Sequence, residues 1–284
     1  MTTAPHTHTT PSRRTRTALP IVAAALVLLG ACRGSEAPAA TARAQQSNKR
    51  EGPPIPAEVV IGRPSARYQP DGAATGGAIT GTVTTAAPLS PGAPAPTGKD
   101  STVCGAAIPD GSVVQQGSGL GGALVWLDDI RRGRPVPLDR RLELESDKCL
   151  LVPRVQAGVV GGAVNVLGHD DFTQHLHFLA AGDTGPRAVV LLGRDEQVIP
   201  TERPLAAPGL VVVRDADHAW PTAYLGVFDH PYFAVTAPNG TFKIEGVPPG
   251  QYRLKVWHER TKIAERALDV GEAGTTVNVV LEPK

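Results

Sequence analysis

The chain has one methionine, Met1, and only three cysteines in its 284 residues. Aromatic residues make up 4% of it, and 28 basic against 27 acidic residues leave a formal net charge of +1. Each shortage removes a class of function. Without a basic stripe interleaved with aromatics, nucleic acid is not an expected partner. There is no Gly-x-Ser-x-Gly elbow, no His-Glu-x-x-His helix and no glycine loop to cradle a phosphate, so no enzymatic activity and no catalytic residue is expected. Long helical periodicity is also missing. Glycine (31) and proline (27) are plentiful instead, and short apolar runs between turn residues read as an all-β chain.

The N-terminus opens with Arg13, Arg14 and Arg16, followed by an apolar run from Ala18 to Leu29. That run is short for a membrane span and suits a signal-peptide core. It ends in Leu29-Gly30-Ala31-Cys32, which resembles a bacterial lipobox. The resemblance implies residues 1–32 as a lipoprotein signal, lipid on the Cys32 thiol, and an exported protein anchored to a membrane of the cell envelope, facing the periplasm. An ordinary signal peptide with a chance cysteine is the alternative. Residues 33–76 are rich in Ala, Pro, Ser, Gln and charge, and read as a disordered tether. With Cys32 occupied by lipid, Cys104 and Cys149 are an even pair, expected to be bridged in an oxidising compartment. The competing reading makes Cys149 a metal ligand, but no His or Cys stands near it at ligand spacing.

Folded structure is expected from about Gly77. Ile79 and Val83 alternate with Thr80, Thr82 and Thr84, the pattern of a half-buried strand, and Ala123 to Leu127 reads as a central strand. Leu142 and Leu144 alternate with charged residues. Val159 to Leu167, Ala188 to Leu192, Leu210 to Val213 and Ala223 to Phe228 are further strand candidates whose spacing suggests a sandwich. Pro238-Asn239-Gly240 is a hairpin signal. Tyr252, Leu254 and Val256 alternate after it, and Thr276 to Leu281 is expected to close the sheet.

The stretch from Val235 to Ile244 with Val247-Pro248-Pro249-Gly250-Gln251-Tyr252-Arg253-Leu254 resembles the second half of a carboxypeptidase regulatory-like domain, a small transthyretin-like β-sandwich. Ile79-Thr80-Gly81-Thr82-Val83 and Ala123 to Leu127 match the first half, but lie about a hundred residues too early. Insertion of a second domain accounts for the gap, since insertion is tolerated where chain ends lie close. The expected organisation is a split regulatory-like sandwich at 77–141 and 231–284, with a second unit at 142–230. Two tandem sandwiches are the alternative.

That second unit resembles the cupredoxins, in particular plastocyanin-like proteins labelled methylamine utilisation proteins. The resemblance rests on Cys149 to Val155, Asp171 with His175, Trp220 to Tyr224, and Asp229 to Thr236. It implies two Greek-key-type β-sandwiches, one inside the other. It also places His175 at the first copper ligand and lays Cys-x-x-His-x-x-Met over Asp215 to Pro221. Only His218 is kept; Asp215 stands for the thiolate and Pro221 for the thioether. A blue-copper centre requires the soft thiolate. The expectation is therefore a non-catalytic, lipid-anchored binding or accessory protein with no firm cofactor, whose partner is an envelope protein or a glycan. One alternative is a copper or zinc site built from His175, His218 and Asp215, with His177, His169 and Asp217 as further donors. The other is a carbohydrate-binding module stacking sugars on Trp126, Trp220 and Trp257, although core packing is the expected role of those indoles. His230 and His258 are read as structural, with His258 and Glu259 facing solvent at a strand end.

Overall fold

The computed structural model describes residues 68–72, 75–194 and 197–284. The signal segment, Cys32 and most of the tether lie outside the described residues. Among those described, the regular structure is strand apart from two 3-10 turns and one helical turn, Ser101–Cys104.

Four sheets stack as layers with three apolar seams between them. The first layer centres on Gly77–Thr85, which pairs Thr241–Val247 antiparallel, meets Gly119–Gly121, and pairs Thr275–Thr276 and Val279–Leu281 in parallel. The second runs Phe233–Val235, Leu124–Asp128, Gly250–Trp257, Ala264–Val270. The third runs Val155–Val159, Thr222–Phe228, Gly209–Asp215, Gln174–Ala180, Ala188–Leu192. The fourth runs Leu150–Val152, Arg141–Asp147, Ala163–Gly168, Gln197–Thr201. Ile79, Val83, Val125, Leu127, Ile244 and Val256 fill the first seam. Trp126, Leu124 and Trp257 meet Leu210 and Phe228 in the second. Leu144, Val164, Phe178, Val190, Val213 and Leu225 fill the third.

This layering explains which strands alternate. Gly77–Thr85 is outermost, so Ile79 and Val83 are buried while its threonines are not. Leu124–Asp128 lies between two seams, so both faces need apolar side chains and the alternation disappears. Val125 and Leu127 point into one seam and Leu124 and Trp126 into the other, all of them buried. Leu210 to Val213 is continuous for the same reason, with Leu210 in the middle seam and Val211 and Val213 in the third.

Two sequence expectations change. The single strand expected over Val159 to Leu167 is two strands in different sheets, Val155–Val159 and Ala163–Gly168. They part at Val160-Gly161-Gly162, where Gly161 has φ +79° and a side chain at Gly162 would meet the Arg140 carbonyl at 2.2 Å. The Pro238-Asn239-Gly240 turn forms, with Asn239 Oδ1 accepting from the Thr241 amide at 3.1 Å. It is not a hairpin, however. Phe233–Val235 pairs Leu124–Asp128 and Thr241–Val247 pairs Gly77–Thr85, so the turn carries the chain from one layer to the next.

Candidate functional site

Asp215 ends the Gly209–Asp215 strand, and His218 lies in the bend before Thr222–Phe228. Register decides which of the expected residues meet. Leu176 pairs with Asp215 and His177 with Arg214, and side chains alternate along a strand. Asp215 therefore shares the inner face with Leu176, while His175 and His177 stand on the outer face. The burial of Gln174–Ala180 follows this alternation.

Asp215 and His218 are brought together: Asp215 Oδ2 lies 2.8 Å from His218 Nδ1. The other oxygen, Oδ1, accepts from the Asp217 amide at 2.8 Å and from the His175 amide at 3.4 Å. The His175 imidazole does not join them. Its Nδ1 pairs instead with Asp217 Oδ2 at 2.5 Å on the half-exposed face. His169 Nε2 lies 3.6 Å from Glu145. The expected trio thus forms a backbone-linked chain of hydrogen bonds, with one imidazole on the wrong side of the sheet for the other.

The second ring nitrogen of His218 is taken by a residue that sequence reading passed over. Nε2 lies 3.0 Å from Asp100 Oδ2, across 118 residues of sequence. Asp100 arrives on a strap closed by pairing of Ala95–Pro96 with Ala107–Ile108. Within the strap the Thr97 hydroxyl donates to the Gly105 carbonyl. Asp100 leads into the Ser101–Cys104 turn, and Cys104 is bonded to Cys149. This is the expected disulfide. Ile108 of the strap packs with Cys149, Phe172 and Trp220. Phe172 and Trp220 also hold the His218 ring, at centroid distances of 5.1 and 4.9 Å.

Cys149 has an unusual seat. Lys148 and Cys149 form the two-residue turn between Asp147 and Leu150, with φ of +51° and +63°. Both are left-handed, a conformation that favours Asn and Gly. The Cys149 amide is pinned to Asp170 Oδ1 at 3.0 Å. Asp170 Oδ2 accepts from Ser146 Oγ at 2.6 Å, and that hydroxyl in turn accepts from Gln174 Nε2 at 2.7 Å.

A blue-copper centre does not fit these residues. Asp215 is engaged through both oxygens, Pro221 offers no donor, and His175 is turned to the opposite face. Among the described residues no group of three or more His, Cys, Asp or Glu could hold a metal ion.

The other singled-out residues also have definite places. Trp126, Trp220 and Trp257 are all buried, so their rings offer no platform for a sugar. His230 is buried and its Nδ1 accepts from the Tyr232 amide at 3.1 Å; burial lowers its pKa to about 4. His258 and Glu259 do not face solvent. His258 is buried with its pKa lowered to about 4, chiefly by desolvation, and its Nδ1 accepts from the Arg260 amide. Glu259 receives two bonds from Arg154, at 2.6 and 2.9 Å, and one from the Tyr224 hydroxyl at 3.1 Å. Burial and Glu259 raise the Tyr224 pKa, while burial works against the Arg154 charge and Glu259 more than restores it. The strand end covers Glu259 because the 141–228 layers pack over it. At the Asp128 end of the second layer's strands an open groove of about 680 Å³ is lined by Asp71, Asp129, Arg131, Arg132 and Tyr252.

No family model matches the chain, and no curated protein does. Among solved structures, a Cu-containing nitrite reductase (NirK) from Thermus scotoductus SA-01 aligns with 34% of the chain at 17% identity and a TM-score of 0.28. The alignment spans 24% of that protein's own chain, about a quarter of its length.

Proposed function

We propose that this chain is a non-catalytic binding or accessory protein of the bacterial cell envelope, anchored by lipid on Cys32. In this reading a Greek-key, cupredoxin-like sandwich at 142–230 is inserted in a regulatory-like sandwich at 77–141 and 231–284, and its metal-binding end serves as structure. The observation that carries it is the double engagement of His218, whose ring nitrogens lie 2.8 and 3.0 Å from Asp215 and Asp100. Both ring nitrogens are thereby engaged by carboxylates, so the ring is fixed between the strand end and the strap. Sheet membership supports the split: strands on either side of the 141–228 stretch share one seam, while that stretch fills its own. The partner is an envelope protein or a glycan bound away from the buried indoles.

The test is a titration of the unreduced full chain with Cu²⁺ and Zn²⁺, followed by calorimetry and visible absorption. Neither ion is expected to bind tightly, and tight binding lost in His218→Ala would sink the reading. Membrane attachment is tested separately: Cys32→Ala is expected to abolish incorporation of labelled fatty acid and release the protein from membranes.

A further inference from the structure

We propose that the groove at the Asp128 end of the second layer binds an acidic saccharide, a short run of uronic-acid sugars with one carboxylate on Arg131. The inference deepens the preceding reading in one respect, that the partner is a glycan, and draws nothing from His218 or from the lipid.

Size and lining come first. The groove holds about 680 Å³, within the roughly 300–1,000 Å³ of sites for small ligands. It lies between the loop that follows Leu124–Asp128 and the first residues of Gly250–Trp257. Gln251 and Arg253 are exposed there, and Tyr252 is half-buried. The Tyr252 hydroxyl donates to the Pro248 carbonyl at 2.9 Å, which holds that ring in place.

The charges of the lining leave a remainder. Arg253 reaches Asp129 and lies 3.4 Å from Asp128, which also takes Lys255 at 2.7 Å. Asp71 lies 3.8 Å from Arg132. Each carboxylate of the groove thus faces a cation. Arg131 is exposed and lines the groove, yet among the described residues its guanidinium has no ion pair and no hydrogen bond. The lining therefore has one cation to offer an anionic ligand. A guanidinium takes a carboxylate through two parallel hydrogen bonds in a fixed geometry.

The loop is held where Arg131 stands. Its neighbour Ile130 is 2% exposed and packs in the first seam. The Arg131 carbonyl accepts from the Gln69 amide at 2.8 Å, and Arg132–Gly133 pairs in parallel with Gln69–Pro70. Beyond them the Arg134 amide donates to the Tyr232 hydroxyl at 2.7 Å. Before them Asp129 is left-handed, with φ +61°, a backbone state found at ligand clamps more than at ordinary turns. A loop tied down on both sides of its exposed arginine loses little further freedom when a ligand binds.

The same lining selects among anions. Sugar hydroxyls donate and accept at once, so they need both kinds of partner within reach. Asp71 and Asp129 accept, Arg132 donates, and the Gln251 amide does both. Tyr252, Pro248 and Ala267 add apolar surface for the C–H face of a sugar ring. A phosphate or a nucleic-acid backbone matches less well, because Asp71, Asp128 and Asp129 line the groove and repel further negative charge.

The experiment titrates the unreduced full chain, by calorimetry, with the trimers of galacturonate, glucuronate and mannuronate and with the neutral trimer of galactose. At least one uronide is expected to bind one equivalent, about tenfold or more tighter than the neutral trimer, as one charge-assisted pair supplies. Arg131→Gln should loosen it about tenfold on the same scale, and Arg131→Lys less, since the charge remains without the fork. Both variants keep the backbone bond to Gln69, and near-ultraviolet circular dichroism checks their fold. Arg141→Gln, outside the groove, should change nothing. Binding of no uronide overturns the site, as does equal binding of charged and neutral trimers. Uronide binding indifferent to Arg131→Gln overturns it as well. Each of these failures leaves the metal titration and the fatty-acid labelling to judge the preceding reading separately.

Discussion

Arg154 and Glu259 stand 105 residues apart in sequence and face each other through two parallel hydrogen bonds beside the middle seam. Their side chains are 23% and 10% exposed, so the pair is largely withdrawn from water. It ties the start of Val155–Val159 to the end of Gly250–Trp257, and Tyr224 from the third layer completes the carboxylate.

Removing one partner should cost more than removing both. Arg154→Ala leaves Glu259 buried and unpaired, which is expected to destabilise the chain by about 3 kcal/mol. Replacing the pair together, as Arg154→Met with Glu259→Met, should cost clearly less than the sum of the single changes. Urea denaturation of the four proteins measures the difference.

Acid should weaken the fold through its histidines. His230 and His258 both have pKa values lowered from 6.5 to about 4, first by burial. The unfolded chain therefore binds protons before the folded chain does. Their contribution is complete above pH 6.5, declines as the pH falls, and is lost near pH 4, at up to about 3 kcal/mol for each group. Denaturation free energy measured between pH 7.5 and 4.5 should fall in wild type. The slope should be shallower in His230→Asn or His258→Asn, which keep an acceptor for the Tyr232 or Arg260 amide but do not titrate.

Loss of the bridge should lower stability while the core persists. Cys104–Cys149 closes a loop of 45 residues, and the chain-entropy model gives about 4 kcal/mol for such a loop. Cys104→Ser with Cys149→Ser should lower the unfolding free energy by an amount of that order, and the midpoint of thermal unfolding with it. The 141–228 layers should be affected least, since most of their seam lies away from the strap. Hydrogen exchange resolved by peptide distinguishes this local loosening from a uniform loss.

Much of the layering was legible because burial imposes period. The alternation of Ile79 and Val83 with threonines marked an outer layer, and the unbroken Ala123 to Leu127 run marked an inner one. Gln174–Ala180 and Ala264–Val270 were harder to see. Gln174-His175-Leu176-His177 puts polar residues on both faces, and Ala264–Val270 carries its charges at an edge, so neither shows a clean apolar period. The Lys148-Cys149 turn was invisible because it uses neither Asn nor Gly.

The candidate site was less legible than the fold. Asp215 and His218 are three residues apart and their contact follows from the local bend. Asp100 gave no local sign: a carboxylate in a Gly- and Pro-rich loop has no periodicity, and its partner lies 118 residues away. His175 was misplaced by a single step of register, since Leu176, and not His175, sits opposite Asp215. On a strand that step moves a side chain through the sheet.

The pairing of Val83 with Val279 sets a timetable for the newborn chain. Gly77–Thr85 emerges from the ribosome early, yet its partner Thr241–Val247 is made roughly 160 residues later and Val279–Leu281 almost two hundred. The 141–228 sheets have every strand partner within their own stretch and can be assembled in the meantime. For that interval most of this strand waits with its edges open, only Thr84 finding Gly119 early, and open edges recruit other strands. A ribosome that stopped at Val270 would release a molecule with one half finished and the other carrying an unguarded edge, the kind of product that holdase chaperones and quality-control proteases meet.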